Sequence, residues 1–146
     1  MIERIEFENA IYPTKICRIL NSFQSLIFVD EELEKSAKHK VIFQHIPWFL
    51  KTPDEPKEYF NIDIELRKRM LAKFKSSNVS KIFCGHYHRN AGGWDGPSLE
   101  LVVTSAIGCQ IGDDPHGMRI VKVFEDHIEH KYHSLEDCPT DIEFKT

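Results

Sequence analysis

Apolar and polar positions along this chain follow two periods, and the switches between them mark its elements. Lys15–Leu20 (Lys-Ile-Cys-Arg-Ile-Leu) reads as a short strand closed by Asn21-Ser22. From about Phe23 to Lys38 the spacing turns helical. Leu26, Val29, Leu33 and Ala37 recur at intervals of three and four, and the charges from Glu31 onward fall mostly on the opposite face. Lys40-Val41-Ile42-Phe43-Gln44 is almost continuously apolar, which predicts a strand buried on both faces; Pro47 stops its pairing. A second helix follows, with Asn61 placed as its N-cap. Ile62, Leu66, Met70 and Phe74 repeat at i+4, Leu71 widens the stripe, and Arg67, Lys68 and Arg69 are assigned to its solvated face. Val79–Cys84 is the next strand. Gly92–Pro97 reads as a loop, Leu99–Ser105 as a strand and Ile107–Gly117 as a glycine-rich loop. Met118–Phe124 and Ile128–Ser134 form a hairpin around Glu125-Asp126-His127. Residues 1–14 carry little pattern.

The order strand, helix, strand, helix, strand implies an α/β fold with parallel βαβ units, followed by meandering strands. Ligand sites in such sheets lie beyond the carboxyl ends of the strands. Two histidine-bearing stretches occupy that position. His45 follows the strand ending at Gln44, and Gly85-His86-Tyr87-His88 follows the strand ending at Cys84. In an extended segment residues i and i+2 point the same way, so His86 and His88 are expected to reach one small volume. Gly85 is expected to let the backbone turn. Imidazole is a common ligand for zinc, manganese, iron and copper. The bland alternative is a pair of surface loop histidines, but only about 0.02 G-H-x-H matches are expected by chance at this composition.

Composition narrows the classes. A chain of 146 residues, 41% hydrophobic with ten Phe, suits one domain with a core. A net charge of −4 without a basic cluster gives no electrostatic footprint for nucleic acid. No run of about 18 apolar residues offers a membrane span. Cys17, Cys84, Cys109 and Cys138 are scattered, with no C-x-x-C pair. Together with an N-terminus unlike a signal peptide, this suggests free thiols in a reducing, cytoplasmic setting.

A strand ending in His45, a helix, and a strand ending in Gly85-His86-Tyr87-His88-Arg89-Asn90-Ala91-Gly92-Gly93 together resemble the calcineurin-like metallophosphoesterases. Ser105-Ala106-Ile107-Gly108-Cys109-Gln110, Asp114-Pro115-His116-Gly117 and Arg119 extend the match, which covers residues 15–135 and leaves 1–14 and a tail, 136–146, outside it. The resemblance implies a four-layer αββα sandwich of which this chain is the C-terminal half. It implies a metal-dependent phosphoester hydrolase of the protein Ser/Thr phosphatase type, acting on phosphoprotein. Two divalent ions, Mn, Fe or Zn, occupy the complete family site. His45 and His86 correspond to ligands of one metal and His88 to a ligand of the other. Arg89, Asn90 and His116 become substrate-cleft residues.

The chain also departs from the family. The D-x-H, G-D-x-x-D and G-N-H-[DE] motifs that precede the lone His in the family are absent, so the bridging Asp, the Asn ligand and the His of the third motif, which assists the leaving group, are missing. Asp114-x-His116 is a literal D-x-H, but it follows G-H-x-H and reads as a decoy. A truncated or partial form is therefore expected, with unpaired sheet edges and exposed apolar surface. Two other functions compete: a non-catalytic remnant acting as a binding module, and a mononuclear histidine-based metal-binding protein. A structural zinc site from Cys84, Cys109, His86 and His88 is a further alternative. His127, His130 and His133 are read as scattered on the final hairpin, and His39 as a helix-end residue.

Overall fold

The alternation within three short strands decides this architecture, because each strand feeds two cores. The computed structural model describes residues 4–7, 14–18 and 30–143. Its elements are β1 (Arg4–Phe7), β2 (Thr14–Arg18), β3 (His39–Gln44), α1 (Ile64–Ser76), β4 (Val79–Cys84), β5 (Ala91–Asp95), β6 (Leu99–Val103), β7 (Gly117–Val123) and β8 (Ile128–Ser134). A five-stranded mixed sheet has the order β2-β3-β4-β6-β5, and a three-stranded sheet the order β1-β7-β8. β2, β3, β4 and β6 are parallel; β5 returns antiparallel to β6. In the small sheet β1 runs parallel to β7 and β8 antiparallel.

Ile42, Ile82, Cys84, Leu99, Leu101 and Val103 face a core shared with Met70, Leu71 and Phe74 of α1 and with Trp48 and Phe49. Their neighbours Val41, Phe83 and Val102 face the other way, onto Val121 and Val123 of β7. Period-two alternation thus serves two apolar interfaces at once, as expected of strands buried on both faces. Each large side chain so buried contributes about 1.5–3 kcal/mol. The described residues form helix, sheet and sheet in three layers. None of their helices is long and apolar enough to cross a membrane.

The seam between the sheets also holds polar groups. Arg119 donates from Nε to Thr104 Oγ1 (3.2 Å) and from Nη1 to His130 Nδ1 (2.9 Å). Guanidinium is a donor only, so Nδ1 of His130 accepts and the ring proton is assigned to Nε2, which meets Glu100 Oε2 at 3.1 Å. Lys81 completes the group as the cross-strand partner of Glu100. His130 is therefore part of an interface, edge-on to Phe83 at 5.6 Å, and not a scattered hairpin residue.

Several sequence expectations are corrected. Asp63, not Asn61, caps α1, accepting from the backbone of Glu65 and Leu66. Arg67 is fully buried, because its guanidinium satisfies backbone carbonyls of the preceding loop. His39 is a buried residue of β3 that meets the Phe124 carbonyl at 2.8 Å, not a helix end. Residues 30–34 are helical, four residues short of the expected end at Lys38; the expected helix before residue 30 and the strand beyond Arg18 lie outside the described residues.

Gly92-Gly93-Trp94-Asp95, expected as loop, is most of β5. Its glycines answer to close backbone neighbours. A Cβ on Gly92 would lie 2.1 Å from the Leu101 carbonyl oxygen, and one on Gly93 would lie 2.4 Å from that of Lys51. The Gly92 N–H donates to the Leu50 carbonyl at 2.8 Å, so the segment after Trp48 runs against β5.

Candidate metal centre

Parallel pairing of β3 with β4 puts their carboxyl ends side by side, and the pairing continues one step beyond them. The Gly85 N–H donates to the His45 carbonyl at 3.1 Å. The chain then turns sharply. Tyr87 N–H closes on the Gly85 carbonyl at 2.7 Å, and His86 between them has φ 66°. Such three-residue turns with positive φ are rare and strained, and a non-glycine residue held there costs about 1–3 kcal/mol. His88 is also left-handed, at φ 54°. The expected extended H-x-H is thus corrected: β4 ends at Cys84, and two successive reversals aim the imidazoles. Gly85 is not the residue that turns. A Cβ there would meet only His45 Nδ1, at 3.8 Å, an ordinary contact.

His86 Nδ1 and His45 Nε2 lie 3.2 Å apart, with ring centroids at 5.0 Å and planes at 68°. Burial, then the neighbouring His86 and His88, hold the His45 imidazolium below its usual range and favour the neutral ring. Neutral imidazole is the form with a lone pair for a metal. Two nitrogens on one ion at 2.0–2.1 Å sit roughly 3.0–3.4 Å from each other, so the observed separation fits two positions of one coordination shell. His88 points Nδ1 at the Cys109 carbonyl, which leaves Nε2 as its available atom. Ligating histidines commonly anchor their second nitrogen in this way. Among the described residues, no three His, Cys, Asp or Glu side chains converge on one point, so the remaining positions of a shell are not filled.

The other sequence candidates are distributed around this turn. Arg89 lies over the Tyr87 ring at 4.9 Å and against Gly112. Asn90 Oδ1 accepts from Arg119 Nη2 (3.0 Å) and Ser105 N (3.4 Å), and its backbone N–H donates to Asp114. Asn90 therefore ties the histidine turn to the seam between the sheets. His116 is exposed, with Nδ1 on the Ile107 carbonyl at 2.8 Å. Cys84 points into the helix-side core, where burial pushes its thiol well up, so it cannot join His86 in a zinc site. Trp48 packs edge-on to Phe74 in the same core, and Trp94 is exposed beneath the Lys81 ammonium. Two residues the pattern did not single out flank His86: Tyr59 at 5.7 Å and Phe60 at 5.8 Å between ring centroids. The available signal was an aromatic pair at the end of an otherwise polar stretch.

No protein-family model matches the chain. Curated relatives do, all carrying one name. Serine/threonine-protein phosphatase CPPED1 of Danio rerio is 51% identical over 105 residues, 71% of this chain and 33% of the relative. That of Rattus norvegicus is 41% identical over 131 residues, 87% and 41% of the two lengths. That of Homo sapiens is 46% identical over 115 residues, 75% and 36%. The chain is a homologue of the calcineurin-like phosphoesterase-domain protein CPPED1. The resemblance drawn from the histidine motifs and the likeness to CPPED1 agree. The chain spans only about a third to two fifths of the CPPED1 relatives it matches.

Proposed function

We propose that this chain carries part of the metal centre of a phosphoester hydrolase of the protein-serine/threonine phosphatase type, with phosphoprotein as substrate and the cytoplasm as its compartment. His45 and His86 hold one divalent ion, Mn, Fe or Zn, and His88 contributes through Nε2 to a second. The two packed sheets and α1 are read as three layers of a four-layer αββα sandwich. The observation that carries this reading is the 3.2 Å approach of two imidazole nitrogens at the ends of adjacent parallel strands. The likeness to proteins named as phosphatases supports the reaction class.

Divalent ions in such a centre supply Lewis acidity toward phosphoryl oxygens and an acidified water. The chain's own residues have simpler tasks. His45 and His86 present lone pairs to a common point, Arg89 supplies positive charge toward a phosphate dianion, and Asn90 fixes the turn between them. A second reading, a mononuclear histidine site without turnover, is favoured by one observation: no carboxylate joins the pair among the described residues. Two dications held a few ångströms apart need negative charge between them.

The chain is therefore expected to retain at most one zinc or manganese after dialysis, and to hydrolyse an aryl phosphate near background even with added manganese. His86→Ala should lose the bound ion. Equal metal retention in His86→Ala would remove the pair from the site. Brisk turnover that vanishes in His86→Ala would mean that Asp113, Asp114 or a second chain supplies the missing carboxylates.

A further inference from the structure

Residues 50–62 form a long connection without regular structure, yet its interior is closely bonded. The Glu55 carboxylate accepts the backbone N–H groups of Leu50 (2.7 Å), Lys51 (2.8 Å) and Thr52 (3.2 Å), and the Asn61 amide at 2.8 Å. Asn61, itself buried, also donates to the Pro56 carbonyl and accepts from Glu58 N–H at 2.7 Å. From α1, Arg67 reaches the carbonyls of Pro53 (3.0 Å), Glu55 (2.6 Å) and Ile62 (2.7 Å). Loops of this length without secondary structure are usually either mobile or functional. This one is pinned by a half-buried carboxylate, a buried amide and a buried guanidinium.

What the pinned segment presents at its far end is an aromatic pair resting on His86. Phe60 packs against the helix-side core and stands edge-on to His86 at 60° and to Tyr87 at 5.1 Å. Tyr59 is set at 90° to Phe60 and lies at a shallow 30° to the imidazole. It does so while 81% exposed, so burial of its own ring does not explain its place. His86 sits on a strained turn at the surface, where an imidazole unsupported on its sides would sample several rotamers. Two rings select the one that aims Nδ1 at His45.

We propose that Phe60 and Tyr59 are positioning residues for His86, and that Glu55, Asn61 and Arg67 hold them in place. The proposal rests on the reading of His86 as a metal ligand. It adds a device for orienting that ligand, built from a segment the histidine motifs do not include.

The test uses the full chain. Three-bond couplings of isotopically labelled protein report the His86 χ1 rotamer, and competition with a chromophoric chelator reports zinc affinity. Phe60→Leu keeps apolar volume and removes the ring. Tyr59→Ala truncates a side chain too exposed to affect folding, and Tyr59→Phe restores the ring. A single rotamer is expected in the wild type and Tyr59→Phe, with rotamer averaging in Phe60→Leu and Tyr59→Ala. Zinc affinity should fall about tenfold in both averaging variants. The thermal midpoint of Tyr59→Ala should stay unchanged. A single His86 rotamer in both variants overturns the proposal, as does averaging with unchanged zinc affinity. If the wild type binds no zinc, the metal reading fails, and the couplings alone decide the positioning.

Discussion

Glu100 faces His130 Nε2 at 3.1 Å and pairs with Lys81 in the seam between the sheets. Burial alone would push its carboxyl up, but the hydrogen bonds from His130 and Lys81, with the charge of Lys81, bring it down from 4.5 to about 2. A carboxylate more acidic in the folded chain than in the unfolded one binds fewer protons when folded. Its stabilising contribution is therefore present above about pH 4.5 and is lost as the pH falls toward 2. A shift of that size corresponds to about 3 kcal/mol. Glu100→Gln should lower stability at neutral pH by about 2–3 kcal/mol and flatten the acid limb between pH 4.5 and 2. Urea unfolding of both proteins across that range checks it; an acid limb of unchanged slope would assign the acid sensitivity elsewhere.

α1 and the connection before it divide between Asp63 and Asn61 the duties that the sequence reading gave to Asn61 alone. Asp63→Ala removes the cap and should cost about 1 kcal/mol. Asn61→Ala removes a buried amide, takes one donor from Glu55 Oε1, which keeps the Leu50 N–H, and leaves the Pro56 carbonyl and the Glu58 N–H without their side-chain partner; it should cost more, about 2 kcal/mol. Paired denaturation curves settle the order; a larger loss for Asp63→Ala would reverse the assignment. β3, β4, β6 and the β7–β8 hairpin were legible because burial on one or two faces writes a pattern of apolar residues. β5 was not, because close backbone neighbours demand glycine there, and glycine carries no hydropathy signal. Arg67 was hidden for a related reason. Its charge suggests solvent, while five N–H donors suit it equally to a cluster of loop carbonyls. The strand-end positions of His45 and His86 could be read from topology. The left-handed turns that aim His86 and His88 could not, since histidine, although enriched at positive φ among non-glycine residues, adopts it only in a small minority of its positions. The aromatic flank on His86 depends on a loop whose course only tertiary bonds define.

Across the whole molecule, β3, β4 and β6 belong to both cores, so loosening either interface exposes the other. At the rim of this arrangement β5 is the last strand of its sheet, and the backbone of Leu50 and Lys51 runs against it. The terminal strand of a sheet can template a neighbouring molecule through its free N–H and C=O groups. Here the Leu50 carbonyl takes the Gly92 N–H, which occupies one of the outward donors of β5 and caps that stretch of the edge. Gly93→Ala would place a methyl group 2.4 Å from the Lys51 carbonyl oxygen and push that cap away. Light scattering with size-exclusion chromatography should then show concentration-dependent growth in Gly93→Ala that the wild type lacks; equal profiles would mean that the cap is dispensable. Of the two glycines that obscure β5 in the sequence, Gly92 makes room for β6 within the sheet, and Gly93 lets the strand carry a cover thinner than any side chain.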